Sequence, residues 1–253
     1  MEGKIFLIFG GYIPIMQTGA LTLADALWPR FGILQKDLVR NVILILAFAG
    51  FVAICAQITI RLPWTTVPIT GQTFGVLVTG GSLGLWRGAG ALSTYMVFGM
   101  VGLPVFAPGS GATAGAWDLH FILPWSGSSG SPWDLSSGGY IVGFILAAAL
   151  IGYTAQRQWD QKPWLLFSMF AGNVLLYVPG ILWLAYLIGS GWVHPVGQPL
   201  SDLIAGTGTW DKALKGGLYP FIVGDFMKLF LASLALPTAW TLVNRFRPLD
   251  QGR

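Results

Sequence analysis

The sequence predicts an all-α membrane protein, a bundle of six transmembrane helices with an extra N-terminal apolar segment. Three observations predict this class. The 253-residue chain is 54% hydrophobic and only 9% charged, whereas soluble domains carry about 25% charged residues. Six apolar runs are close to the length of about 20 residues that a membrane-crossing helix needs. Lys and Arg concentrate in alternate loops, as they do in multi-pass proteins.

The six runs follow one another along most of the chain. They cover residues 41–60, 68–86, 89–106, 139–155, 163–190 and 218–243. The chain is therefore expected to consist of an N-terminal extension (residues 1–36), a six-helix domain (37–247) and a short cytoplasmic tail (248–253).

The N-terminal extension is apolar but interrupted by Gly10, Gly11, Pro14 and Asp25. We expect it to lie in the membrane interface or to re-enter the membrane, with a seventh helix as the alternative. A cleaved signal peptide fits less well, because no small-residue cleavage site closely follows a compact apolar region.

The distribution of basic residues predicts the orientation. Cytoplasmic loops are enriched in Lys and Arg. If the segment before the first run is cytoplasmic, that side carries Lys4, Arg30, Lys36, Arg40, Arg87, Arg157, Lys162, Arg245, Arg247 and Arg253, and the other side carries only Arg61, Lys212 and Lys215. Both ends of the six-helix domain are therefore expected to be cytoplasmic, in the cytoplasmic (inner) membrane.

Two long loops are expected on the outer side, residues 107–138 and 191–217. The first has no Lys or Arg and is rich in Gly, Ser and Trp, which favours a loop that folds over the outer face. The second is punctuated by Pro and Gly, with a short helix expected around 200–205. Their tryptophans are typical of an aromatic belt at the interface: Trp117, Trp125, Trp133, Trp192 and Trp210.

Asp225 and Lys228 are opposite charges within a single run, the last one. A charge at the centre of a membrane helix costs about 2.5–3.5 kcal/mol. Their spacing of three residues places them on one helix face, where they reach each other or a shared partner. A purely structural ion pair is one interpretation. A polar ligand is the better one, because a buried pair is often no more stabilising than apolar residues.

Other polar or small residues in the runs are weaker candidates. Asn173 is expected either to bind a ligand or to hydrogen-bond another helix. Gly138 and Gly139 allow backbone groups to approach a ligand, and Tyr140 adds a ring and a hydroxyl. Gln72 and Tyr177 are further polar side chains within the runs.

Ala49, Ala53 and Ala56 form a stripe of small residues in the first run. Such a stripe lets another helix approach closely. The approaching helix is expected to belong either to the same bundle or to a partner subunit.

Catalytic and metal-binding functions have little support. Cys55 has no second cysteine to pair with, and no Cys/His cluster has metal-ligand spacing, so no metal site or cofactor is predicted. Ser110 lies among small residues, in "PGSGAT", but a catalytic histidine would be expected within a run. Both histidines, His120 and His194, fall in outer loops, which argues against a catalytic role for Ser110. There is no GxxxxGK[ST] motif for ATP and no dense basic patch for nucleic acid.

Four motifs in order, "VPITGQTFGVLVTGGSLGLWRGA", "GLPVFA", "GGYIVGFILAA" and "GDFMK", resemble the BioY family of biotin transporters, the substrate-binding components of energy-coupling factor transporters. The similarity covers about residues 37–247. The resemblance implies a six-helix membrane bundle, without its own ATPase, that takes up biotin with high affinity.

The resemblance also implies site residues. It places the acid and base of the last motif, Asp225 and Lys228, in the biotin pocket. Tyr140, the backbone of Gly138 and Gly139, and Phe106 are implied as wall residues. Whether Lys228 meets the ureido oxygen or the carboxylate of biotin stays open.

The implied partners are a transmembrane coupling protein, expected to dock on the alanine stripe, and a pair of cytoplasmic ATPases. The N-terminal extension and the long 107–138 loop depart from the usual family pattern, and the loop tryptophans are possible extra contacts. Two alternatives remain: the same architecture binding another small vitamin, or a structural membrane protein with Asp225 and Lys228 as a purely structural pair.

Overall fold

The computed structural model describes residues 22–28, 37–108, 117–157 and 164–246. These residues are mostly helical. In chain order the elements are α1 (Leu23–Leu27), α2 (Asp37–Gln57), β1 (Thr59–Arg61), β2 (Ile69–Thr70), α3 (Gln72–Leu83), α4 (Leu85–Met100), β3 (Asp118–His120), a 3₁₀ turn (Pro132–Asp134), α5 (Gly138–Ala155), α6 (Trp164–Gly189), α7 (Leu200–Leu203), α8 (Thr209–Gly217) and α9 (Ile222–Phe246).

Four of the described helices are long and apolar enough to cross a membrane. They are α2, α5, α6 and the Ile222–Val243 part of α9, with mean hydropathies between 1.5 and 2.4. They correspond to the first, fourth, fifth and sixth predicted runs. We therefore treat the chain as a multi-pass membrane protein.

The second and third predicted runs form shorter helices than expected. α3 has 12 residues and α4 has 16. The first residues of run 68–86 are extended in β2 rather than helical, and α4 ends before the end of run 89–106. Gly84 separates the two helices with φ of 81°, in the left-handed region that favours glycine. Helix length alone thus supports four of the six predicted spans.

The described part of the N-terminal extension is a buried turn of helix. Residues 1–21 and 29–36 lie outside the described residues, so the prediction for the whole extension stays a prediction. α1 has five residues, too short for a seventh span, and begins with a capping box between Thr22 and Asp25. Leu23, Ala24 and Ala26 are buried, and α1 packs on α3 and α9.

Charge fixes α1 to the bundle. Arg87 donates to both carboxylate oxygens of Asp25, at 2.7 and 2.6 Å. Arg40 lies 3.5 Å from the same carboxylate. We call this end of the bundle, which carries Arg40, Arg87, Arg157 and Arg245, the arginine end. Asp25 therefore ties α1 to the first turns of α2 and α4.

α5 is the central helix. It packs on α3, α4 and α6, and 67% of its apolar window is buried, compared with 28% for α2 and for α9. Glycines permit this closeness. A Cβ at Gly139 would lie 2.3 Å from the Pro179 carbonyl oxygen, and one at Gly143 would lie 2.4 Å from that of Leu176.

The alanine stripe of α2 faces the interior of this bundle. Ala49, Ala53 and Ala56 have exposed fractions of 0%, 5% and 0%. α2 packs on α3 and α4, and a Cβ at Gly75 of α3 would lie 3.3 Å from Cys55. The prediction that a partner docks on these three alanines is therefore corrected: they serve helix packing within the chain.

A small sheet lies at the other end, which we call the sheet end. β1 is antiparallel to both β2 and β3 and lies between them. Arg61 pairs with Asp118 at 2.9 Å across β1 and β3. Phe106 and Ser128 form a further antiparallel bridge. The described part of the 107–138 loop thus folds back on the bundle, as the sequence indicated, but the sheet was not predicted.

The second loop is also more ordered than expected. Its predicted helix is present as α7, slightly shorter than the expected 200–205. An additional helix, α8, follows it and packs on α6. α8 was not predicted.

Candidate functional site

A cavity lies at the sheet end, between α3, α5, α6 and α9, with about 680 Å³ of space that includes its open mouth. Most of the wall is apolar, with a few hydroxyl, amide and ammonium groups. The lining residues are Val67, Pro68, Thr70, Gln72, Thr73, Phe106, Ala107, Ser128, Leu135, Ser137, Tyr140, Ile141, Phe144, Leu176, Tyr177, Phe221 and Lys228.

Lys228 supplies a positive charge to this wall, and Asp225 contacts it from outside the lining. The Lys228 Nζ lies 2.8 Å from Asp225 Oδ1. Asp225 is 3% exposed and does not line the cavity itself. An ammonium has three N–H donors, and within the described residues Lys228 uses one of them, on Asp225. Two donors are therefore left for a ligand.

Tyr177 completes this polar group from a second helix. Its hydroxyl donates to Asp225 Oδ2 at 2.5 Å. Its ring packs edge-on against Tyr140, with centroids 5.9 Å apart and planes at 90°. The Tyr140 hydroxyl in turn donates to the Gly217 carbonyl at 2.7 Å. The two tyrosines therefore link α5, α6, α8 and α9 around the cavity.

A second polar group lies on the α3 side. Thr70 donates to Gln72 Oε1 at 2.8 Å, and Gln72 Nε2 donates to the Tyr95 hydroxyl at 2.6 Å. Tyr95 is fully buried and packs edge-on against Phe106, 5.4 Å away. The cavity therefore has polar groups on two sides and apolar surface between them.

The residues predicted for the site are only partly brought together. Lys228, Tyr140 and Phe106 line the cavity. Gly138 and Gly139 do not, because they pack against the carbonyl groups of Pro132 and Pro179.

Asn173 faces a separate groove of about 440 Å³ between α6 and α9. Asp225 and Tyr177 also border this groove, and Tyr177 borders both spaces. The Asn173 Oδ1 has no hydrogen-bond partner among the described residues. Among the described residues, Asn173 therefore neither lines the cavity nor accepts a hydrogen bond from another helix.

Several lining residues had not been predicted, among them Thr70, Ser128 and Ser137. The apolar run 68–86 predicts a helix at Thr70, whereas this residue is extended in β2. Ser128 comes from the loop that returns over the sheet end. The sequence identifies Gln72 and Tyr177 as polar residues within the runs but assigns them no role. The tryptophans of the first loop do not contribute: Trp117, Trp125 and Trp133 are exposed and lie outside the cavity wall.

Comparisons with known proteins give a consistent result. The model of the BioY family matches residues 16–117 and 126–245. The biotin transporter BioY of Thermotoga maritima is 32% identical over 187 residues, covering 74% of this chain and 88% of that protein. The biotin transporter BioY of Rhodobacter capsulatus is 29% identical over 212 residues, covering 83% of this chain and 95% of that protein.

A solved structure shares the fold. The crystal structure of the S-component for biotin from an ECF-type ABC transporter superposes with a TM-score of 0.56. The match covers 85% of this chain and 94% of that chain, at 20% sequence identity.

Proposed function

This chain belongs to the BioY family, and on that premise we propose that it takes up biotin with high affinity, as the substrate-binding component of an energy-coupling factor transporter. The two relatives are named as biotin transporters, and the similar structure is an S-component for biotin. The observation that carries the proposal is Lys228 in the cavity wall, held by Asp225.

The chemistry of the cavity suits biotin. The ureido ring offers two N–H donors and one carbonyl acceptor, and the side chain ends in a carboxylate. The free donors of Lys228 suit either acceptor end of the molecule. Asp225 does not line the cavity, and it serves the ligand by holding the Lys228 ammonium at its wall. The apolar wall, with Phe144 and Leu176, suits the fused rings and the aliphatic chain.

The proposed architecture has six membrane crossings, in the cytoplasmic membrane. α3 and α4, together with the extended residues beside them, would supply the second and third. The chain reverses at Gly84, between α3 and α4. This reversal lies near the arginine end, since Arg87, three residues later, contacts Asp25. With the arginine end in the cytoplasm, the sheet end and the cavity face outward.

The proposed partners are a transmembrane coupling protein and a pair of cytoplasmic ATPases. Two observations support this: the similar structure is a component of an ECF-type ABC transporter, and the sequence has no P-loop motif. Ala49, Ala53 and Ala56 are buried, so the exposed side of α2, which carries Ile43 and Ala47, is the face of this helix left for docking.

Titration calorimetry of the purified protein tests the substrate. We expect biotin to bind at about micromolar concentration or below. Asp225→Asn removes a charged acceptor, and Lys228→Ala leaves a buried carboxylate without its counter-charge. Each should weaken binding by about 2 kcal/mol or more, roughly 30-fold. Lys215→Ala, at an exposed ion pair of α8, is the matched control and should bind as the wild type does.

Two results would contradict the proposal. Binding of another vitamin, with no response to biotin, would refute the substrate assignment. Wild-type affinity in both Asp225→Asn and Lys228→Ala, with only a lower melting temperature, would make the ion pair purely structural.

A further inference from the structure

Tyr177 occupies the partition between the cavity and the groove that lies between α6 and α9. It lines both the cavity, whose wall includes Lys228, and the groove, whose wall includes Asp225. Its hydroxyl donates to Asp225 Oδ2, while Lys228 donates to Asp225 Oδ1. Each oxygen of the buried carboxylate therefore has one charged or polar donor, and the two donors come from different helices.

The ion pair alone does not define where the ammonium points. Asp225 and Lys228 are neighbours on α9, and a flexible lysine keeps an i,i+3 contact in several rotamers. A hydrogen bond from α6 adds a constraint from outside α9. It fixes the Asp225 carboxylate, and the carboxylate then restricts the positions open to Lys228.

Tyr177 is itself held firmly enough to act in this way. Its ring packs edge-on against Tyr140, whose hydroxyl is bonded to the Gly217 carbonyl. Gly180, one turn along α6, leaves room for the Tyr140 ring, since a Cβ there would lie 2.4 Å from it. Aromatic packing of this kind restricts the rotamer of Tyr177.

We propose that the Tyr177 hydroxyl is a positioning group for substrate binding: it acts on the ligand through Asp225 and Lys228. This inference rests on the proposed biotin site and deepens it. A binding site held within about 0.5 Å by a supporting shell binds more tightly than one whose groups must be ordered by the ligand. The hydroxyl thus contributes to affinity by holding the ammonium ready.

Tyr177→Phe tests the role of the hydroxyl while keeping the ring. We expect it to weaken biotin binding about tenfold, the usual effect of one hydrogen bond to a charged group. Tyr186→Phe is the matched control, because Tyr186 is on the same helix and 63% exposed. It should bind biotin as the wild type does.

A double-mutant cycle separates positioning from a general structural effect. In an Asp225→Asn background, Tyr177→Phe should cause little further loss of affinity, because the hydroxyl acts through the missing carboxylate. If the hydroxyl had only a structural role, Tyr177→Phe would lower the melting temperature in both backgrounds. It would also change the affinity for biotin by the same factor in each background.

The inference is overturned if Tyr177→Phe binds as the wild type does, or if its loss of affinity adds fully to that of Asp225→Asn. Both results require that the wild-type protein binds biotin. If the wild type fails to bind, the proposed function is wrong instead, so the two failures are distinguishable.

Discussion

Asp25 shows how a single carboxylate organises the arginine end. Burial raises the pKa of this carboxyl group, but hydrogen bonds from Arg87 and Thr22, and the charges of Arg87 and Arg40, outweigh that effect and lower the pKa to about 2. The ordinary value is 3.8. Because the folded-state pKa is below the unfolded one, the carboxylate stabilises the fold at pH values above about 4, and this contribution is lost as pH falls towards 2.

Asp25→Asn should therefore destabilise the protein in a pH-dependent way. At pH 6 we expect a loss of about 1–2 kcal/mol, reduced from the full linkage value because the group is partly solvated. The difference in melting temperature from the wild type should shrink between pH 5 and pH 3. Asp134→Asn, at an exposed carboxylate, is the control. A difference that is constant with pH for Asp25→Asn would show that the ion pair with Arg87 does not contribute to stability.

Candidate binding residues were predictable where the argument needed only the free-energy cost of placing a charge in a membrane helix. Two charges in an apolar run are expensive in any membrane fold, so Asp225 and Lys228 were recognised without knowing their neighbours. The neighbours themselves were not predictable. Asn173 and Tyr177 are four residues apart on one face of α6, yet only Tyr177 lines the cavity, because the packing of α9 decides which part of that face is enclosed.

At the scale of helices, glycines set the distance between α5 and α6. Gly143 lies directly over the backbone of α6: a Cβ there would be 2.4 Å from the Leu176 carbonyl oxygen and 2.9 Å from its Cα. Backbone atoms cannot move aside as a side chain can. The two helices would have to separate to admit even one methyl group.

Gly143→Ala should accordingly lower the stability of the protein by about 2 kcal/mol or more. Gly50→Ala is a matched control in α2, because a Cβ at Gly50 would meet no atom within 4 Å. It should be neutral, or stabilising by up to about 1 kcal/mol through helix propensity. Thermal unfolding in detergent compares the two variants, and equal melting temperatures would contradict the close contact between α5 and α6.

Helices were predictable where the apolar run and the helix coincide. α5 and α6 begin and end within about a residue of the predicted bounds, because polar or glycine-rich loops flank them. The prediction was wrong at the start of α3, since hydropathy does not distinguish an apolar strand such as β2 from a helix. The sheet was missed because its pairing joins Thr59 to both Thr70 and His120, contacts distant in sequence that no local pattern encodes.

On the scale of the whole molecule, the basic residues are distributed unequally between the two ends of the bundle. Arg40, Arg87, Arg157 and Arg245 lie at the arginine end, whereas Arg61, Lys212 and Lys215 lie with the sheet and α8. This asymmetry favours a cytoplasmic arginine end. It also determines from which side a ligand would reach the cavity.

Cysteine labelling in intact cells tests this orientation. Ser126→Cys places a thiol at an exposed position near the sheet, and Arg157→Cys places one at the exposed end of α5. A maleimide that cannot cross membranes should label Ser126→Cys from outside, and label Arg157→Cys only after the membrane is permeabilised. The parent protein is the control, since Cys55 is 5% exposed and should not react. Labelling of Arg157→Cys in intact cells, with protection of Ser126→Cys, would reverse the orientation and turn the cavity towards the cytoplasm, where it could not serve uptake from outside.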